Sequence, residues 1–202
     1  MQIINIEQQT DEWFAVKLKY ILSASNAQAI GNQGKGLETL IWEKLSEKYS
    51  IENKERYTNK DLERGVEFEP LARTLYELKT GNKVLEVGFV INEEISKVGG
   101  ASPDGLVNED GLVEIKCFAD TKHFRAVIEG VDIESQYMWQ MQMQMLFTGR
   151  KWCDFVAYNP NYKQSLLIKR VEPDLEMQNK IKEGLKKGEE IINNIEKQLN
   201  GK

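Results

Sequence analysis

Up to about residue 80 the apolar positions recur every three to four residues, and from there to residue 117 they run as short apolar stretches between turn residues. That change marks a passage from helices to strands. Thr10 precedes Asp11-Glu12-Trp13-Phe14 as an N-cap with acids in the first turn. Ser23-Ala24-Ser25-Asn26 predicts a second helix start, with Gly31 as its stop. Leu37, Leu40, Ile41, Leu45 and Tyr49 form a helical stripe over 37–49. Residues 50–60 are polar and aperiodic and read as a mobile loop. A helix from about 62 to 80 carries Phe68, Leu71, Leu75 and Leu78 and ends at Gly81-Asn82.

The strands expected next cover 84–91, 98–101 and 112–117, with Asn108-Glu109-Asp110-Gly111 as the turn before the last. Ser135 is the expected cap of a helix running through Phe147 and stopped by Gly149. Residues 152–158 and 165–171 read as paired strands around Asn159-Pro160-Asn161. From Pro173 to about Leu199 one amphipathic helix has Leu175, Ile181, Leu185, Ile192, Ile195 and Leu199 on its apolar side. No repeat or domain boundary interrupts this order. The expectation is a single α/β domain over 1–202, a central mixed β-sheet flanked by helices.

Composition narrows the class. A chain of 202 residues with 41% hydrophobic and 29% charged residues can bury a core of ordinary size. No apolar run approaches the roughly 20 residues that span a bilayer. Met1-Gln2-Ile3-Ile4-Asn5 lacks the basic start and long apolar stretch of a secretory signal. The expectation is no membrane and an intracellular, cytoplasmic setting. Cys117 and Cys153 read as reduced core thiols, too few for a four-thiolate iron–sulfur or zinc site. The net charge of −5 counts against a nucleic-acid binder, which usually has a basic surface. It does not exclude one, because a cation neutralises clustered acids and a basic patch can coexist with an acidic remainder.

The candidate chemistry lies in Ser102–Lys116, S-P-D-G-L-V-N-E-D-G-L-V-E-I-K. Asp104 follows a proline in a tight turn, where function tends to gather. Glu114 and Lys116 interrupt an apolar strand and share one side of it, with Ile115 on the other. Two carboxylates and an amine converging at one end of a hairpin can hold a divalent metal and activate a water, which suggests a metal-dependent nuclease. A solvated hairpin face is the alternative. Glu69, beside Phe68 in Arg64–Ala72, sits at the edge of a buried helix face and can supply a third carboxylate, with Glu67 as competitor. Gln140 and Gln144 share a helix face roughly opposite Gln142, which also suits a polar stripe on a Met-rich core helix.

R-G-x-x-x-E-x-x-A at 64–72, S-P-D-G at 102–105, L-x-E-I-K-C at 112–117 and Y-M-x-Q-x-Q at 137–142 occur in that order. With them the chain resembles the lambda-exonuclease-type viral recombinases (YqaJ-like) of the PD-(D/E)xK nuclease superfamily, from about Trp13 to Tyr158. The resemblance implies a restriction-endonuclease-like core. It also implies a 5′→3′ exonuclease that digests one strand of linear double-stranded DNA. The 3′ overhang would pass to a single-strand-annealing recombinase in a phage or prophage setting. In lambda exonuclease three subunits form a ring around DNA, so a homotrimer is implied. By resemblance Glu69, Asp104 and Glu114 bind the metal with the backbone carbonyl of Ile115, Lys116 is the catalytic lysine, and Gln140 lies at the catalytic centre. The oxygen ligands suit Mg²⁺, or Mn²⁺.

The resemblance further places a 5′-phosphate pocket at Lys17, Ser25 and Ser102. Lys17 stands where the family carries arginine, and one residue is inserted between the Trp13–Lys17 and Leu22–Ser25 segments. Lysine lacks the bidentate fork that suits phosphate, so Lys19 is an alternative. His123, the single histidine, reads as a surface residue near the DNA side. Lys122, Arg125, Arg150 and Lys151 would line a DNA path or simply form a solvated face. The rival readings are another PD-(D/E)xK nuclease, an endonuclease or repair enzyme, and a non-catalytic DNA- or partner-binding module.

Overall fold

A computed structural model describes residues 1–51 and 60–201, so the loop expected over 50–60 lies, apart from its ends, outside the described residues. In chain order the elements are β1 (Gln2–Ile4), α1 (Asp11–Lys19), β2 (Leu22–Ser23), α2 (Ala27–Asn32), α3 (Lys35–Tyr49) and α4 (Lys60–Thr80). Then come β3 (Val84–Leu85), β4 (Phe89–Ile91), β5 (Gly99–Gly100), β6 (Gly105–Val107) and β7 (Gly111–Cys117). The chain closes with α5 (Asp120–Glu129), α6 (Ser135–Thr148), β8 (Trp152–Tyr158), β9 (Leu166–Val171) and α7 (Leu175–Asn200).

Five strands form a mixed sheet in the order β3-β6-β7-β8-β9, as the α/β expectation requires. The β6–β7 hairpin turns at Asn108, whose φ of 46° is left-handed. Strand β7 then runs parallel to β8, joined through α5 and α6, and β9 returns antiparallel to β8. Alternation along β7 sends Leu112 towards Met141 and Met145 of α6, and sends Val113 and Ile115 towards Ala72 and Tyr76 of α4. The strand that carries Glu114 and Lys116 is therefore sandwiched between the helices that carry Glu69 and Gln140. A third cluster joins α2, α3 and α7 through Ile30, Leu37, Ile41, Leu185 and Ile192. There α2 and α7 touch backbone to backbone, since a Cβ at Gly184 would stand 1.9 Å from the Ile30 carbonyl oxygen.

Several local expectations differ from the structure. The strand expected over 84–91 breaks at Gly88, where a Cβ would stand 2.2 Å from the Ile6 carbonyl oxygen. On one side β3 joins the large sheet, and on the other β4 pairs antiparallel with β1. The strand at 98–101 shrinks to β5, parallel to β2. Gly31 lies inside α2, facing the Trp139 ring, and Gln33 in a left-handed conformation ends that helix. Leu71 and Leu78 are 55% and 78% exposed, because the buried face of α4 centres on Ala72 and Tyr76. Ser135 is the first helical residue of α6 rather than its cap, and its hydroxyl accepts from Gln28. Asp174 caps α7, leaving Leu175 and Leu199 exposed. Strands β1, β2 and β6 and helix α5 were not anticipated, being short or of mixed polarity.

His123 is fully buried, not a surface residue. On amphipathic α5 it turns inward beside Ala126, its Nε2 2.8 Å from the Gln164 carbonyl and its ring tilted against Tyr162. No described helix is long and apolar enough to cross a membrane.

Candidate active site

The register of β6 and β7 pairs Gly105 with Val113, which brings Asp104 alongside Glu114. Asp104 Oδ2 accepts the Ile115 N–H at 2.6 Å, while the Ile115 side chain packs into the opposite face of the sheet. Glu114 is completely buried. A charge in that position requires dedicated partners, and among the described residues Glu114 has three. Lys116 Nζ lies 2.6 Å from Oε1, Gln140 Nε2 donates to Oε1 at 2.7 Å, and Gln144 Nε2 donates to Oε2 at 2.7 Å. The helical spacing of the two glutamines thus serves one carboxylate, whereas Gln142 faces away to Glu172 and Asp174.

Lys116 is half-buried and stands over the Tyr137 ring at 5.0 Å. Burial works against its charge, but Glu114 and Asp104 outweigh it and hold the amine above the usual lysine range. Asp104 is pushed well above the ordinary carboxylate range by burial, then by Glu114 and Glu69. Glu69, from α4, is raised by burial; Arg73 opposes that rise and Glu114 adds to it. Cys117 is pushed up to about 12 by burial, then by Glu69 and Asp104. These mutual influences place Glu69, Asp104 and Glu114 in one electrostatic neighbourhood with Lys116. Glu67, the competitor on the same helix, is exposed.

Each of the three carboxylates is turned to a protein donor: Asp104 to Ile115, Glu114 to Lys116 and the glutamines, Glu69 to Arg73 at 2.6 Å. Among the described residues no three His, Cys, Asp or Glu side chains stand together as a ready metal-ligand group. The donor set nevertheless fits a hard divalent cation. It is all oxygen, and burial and mutual repulsion raise both Asp104 and Glu69 although Lys116 and Arg73 oppose the rise, so a further positive charge would relieve them.

Lys17 and Ser102 meet through Trp13. The indole N–H is shared between the Gly88 carbonyl at 3.1 Å and Ser102 Oγ at 3.2 Å, and Lys17 Nζ lies 4.3 Å from a Trp13 ring centroid. Burial, and then Lys44, lower the Lys17 amine to about 8 against the opposing pull of Glu47. Among the described residues no carboxylate comes within ion-pair distance of it. Ser102 directly precedes Pro103 and Asp104, so the Trp13 bond ties α1 to the acidic turn. Ser25 is exposed and bonded to Ser23; among the described residues no hydrogen bond joins it to Lys17 or Ser102. Lys19 is exposed over Tyr20.

The basic residues suggested for a DNA path are all engaged. Lys122 pairs with Glu134, Arg125 with Glu129 and Lys151 with Asp110, while Arg150 donates to the Val107 and Asn108 carbonyls. Sequence reasoning did not single out Arg73, Tyr137 or the bridging role of Trp13. Arg73 was findable, being four residues from Glu69 on the same helix.

Residues 12–151 match the model of the YqaJ-like viral recombinase domain. Two crystal structures of an alkaline exonuclease, LHK-Exo from Laribacter hongkongensis, are similar to the chain at 32% identity, covering 95% of it and 99% of theirs. The TM-scores are 0.77 for the complex with dAMP and 0.76 for the other structure. A phage-related exonuclease from Haemophilus somnus 129PT shares the fold at 16% identity and a TM-score of 0.66, over 92% of this chain and 99% of that one. No curated protein matches the chain.

Proposed function

Because the chain belongs to the YqaJ-like viral recombinase family, we propose that it is a metal-dependent 5′→3′ exonuclease. It digests one strand of linear duplex DNA and leaves a 3′ single strand for an annealing recombinase. The observation that carries this reading is the convergence of Asp104, Glu114 and Lys116 at one end of the hairpin, with Gln140 on the same carboxylate. The relatives named exonucleases support the nuclease class.

Glu69, Asp104, Glu114 and the Ile115 carbonyl would hold Mg²⁺ or Mn²⁺. When bound, the metal supplies a nucleophilic water at neutral pH and offsets charge on the phosphate. Lys116, with three N–H donors, orients that water and stabilises the negative charge that develops on the phosphate oxygens. Gln140, half-buried beside it, contributes a neutral donor at the same edge. A closed ring of three subunits would keep a protein of net charge −5 on its substrate by topology. The class is tested by offering linear and closed-circular duplex with Mg²⁺. The exonuclease reading expects loss of the linear form alone, and nicking or cutting of the circle contradicts it.

Lys17 and Ser102 form the phosphate-facing part of the site. Holding Lys17 charged against burial costs on the order of 3 kcal/mol. Its amine is lowered from 10.5 to about 8 in the folded chain, so the cost is complete below pH 8 and is relieved as pH rises towards 10.5. Lys17→Met should therefore melt several degrees higher than the wild type at pH 7, and this gain should shrink by pH 10. The same variant should lose its preference for 5′-phosphorylated over 5′-hydroxyl ends. Calorimetry and paired digestion assays check the two outcomes.

A further inference from the structure

Gln144 is completely buried on α6. Its amide N–H donates to Glu114 Oε2 at 2.7 Å, while its own Oε1 has no hydrogen-bond partner. An unpaired buried carbonyl costs about 1–3 kcal/mol. A methionine would fill the space without that cost, as Met141, Met143 and Met145 do beside it. Packing alone therefore does not account for an amide here.

The two oxygens of Glu114 keep different company. Oε1 is shared by Lys116 and Gln140, both half-buried and open to the site. Oε2 rests on the sealed Gln144. We propose that Gln144 is a positioning residue for Glu114: it fixes the carboxylate by its inner oxygen and leaves Oε1 as the oxygen offered to a divalent cation. The inference rests on the metal reading above. Gln142 provides an internal contrast. It is 1% exposed on the same helix, yet its amide donates to the Glu172 carbonyl and accepts the Asp174 N–H, each at 2.8 Å, and so serves the α6–α7 junction.

The test is binding of Mn²⁺ alone to the full chain, followed by the electron paramagnetic resonance of the free ion. Wild type, Gln144→Met and Gln142→Met are compared, each with its metal-free melting temperature. Wild-type protein that takes up no Mn²⁺ removes the metal reading itself, whatever Gln144 does. Given wild-type binding, Gln144→Met should raise the Mn²⁺ Kd about 10–100-fold. Gln142→Met should lower the melting temperature and leave that Kd unchanged. Wild-type affinity in Gln144→Met, or an equal loss in both variants, overturns the proposal. Should Gln144→Met not fold, Gln144→Asn withdraws the donor with a smaller disturbance and is read by the same criterion.

Discussion

Lys116→Ala should lower the rate of duplex hydrolysis by about 10²–10⁴-fold, the usual range for removing a positioned proton donor or a transition-state charge partner. The chain should still fold, because Glu114 keeps the two glutamine donors from α6. It should be less stable, since removing one partner of a buried ion pair costs on the order of 3 kcal/mol. Single-turnover digestion at saturating Mg²⁺ reads the first effect and circular dichroism melting reads the second. Activity within a few fold of wild type would show that the amine takes no part in the reaction.

Asp104→Asn should separate stability from function in the opposite direction. Burial, Glu114 and Glu69 all press on the Asp104 charge, while Lys116 and the Ile115 N–H favour it. A carboxyl raised in the folded state weakens folding as pH climbs through its folded value, and the penalty is absent below its unfolded value near 4. The asparagine variant should therefore melt a few degrees above wild type at pH 7.5 without added metal, with the gain fading towards pH 4. Its carbonyl can still accept the Ile115 N–H. Hydrolysis should fall by at least about 10²-fold, and the rise in melting temperature caused by Mn²⁺ should disappear. Metal-free Asp104→Asn melting below wild type at pH 7.5 would refute the proposed repulsion.

Much of the site was legible because two periodicities suffice to place side chains. A strand alternates, so Glu114 and Lys116 had to share a face, and they form an ion pair there. A helix returns after four residues, so Gln140 and Gln144 had to point the same way, and both reach Glu114. Their common target was not legible, because no sequence rule says which acid a helix will face across a sheet. The break at Gly88 was hidden for a similar reason. The run Val84–Ile91 has the composition of one strand, and only the approach of the Ile6 carbonyl divides it. His123 was misplaced because a polar side chain between Lys122 and Arg125 looks solvent-facing until the unanticipated α5 packs it against the turn bearing Gln164. On α4 the expected stripe was Phe68, Leu71, Leu75 and Leu78; Phe68 and Leu75 do pack against the core, but its centre is filled by Tyr76, whose hydroxyl is satisfied by buried Asp154.

The direction of digestion is the most exposed part of the account, and one measurement addresses it. A linear duplex carries a 5′-phosphate at each end, and one strand is labelled in turn at its 5′ and at its 3′ terminus. Time-resolved digestion with Mg²⁺ should release the 5′ label first as a mononucleotide, with the 3′ label retained on a shortening strand. Earlier release of the 3′ label, or internal fragments from either strand, would contradict the assignment.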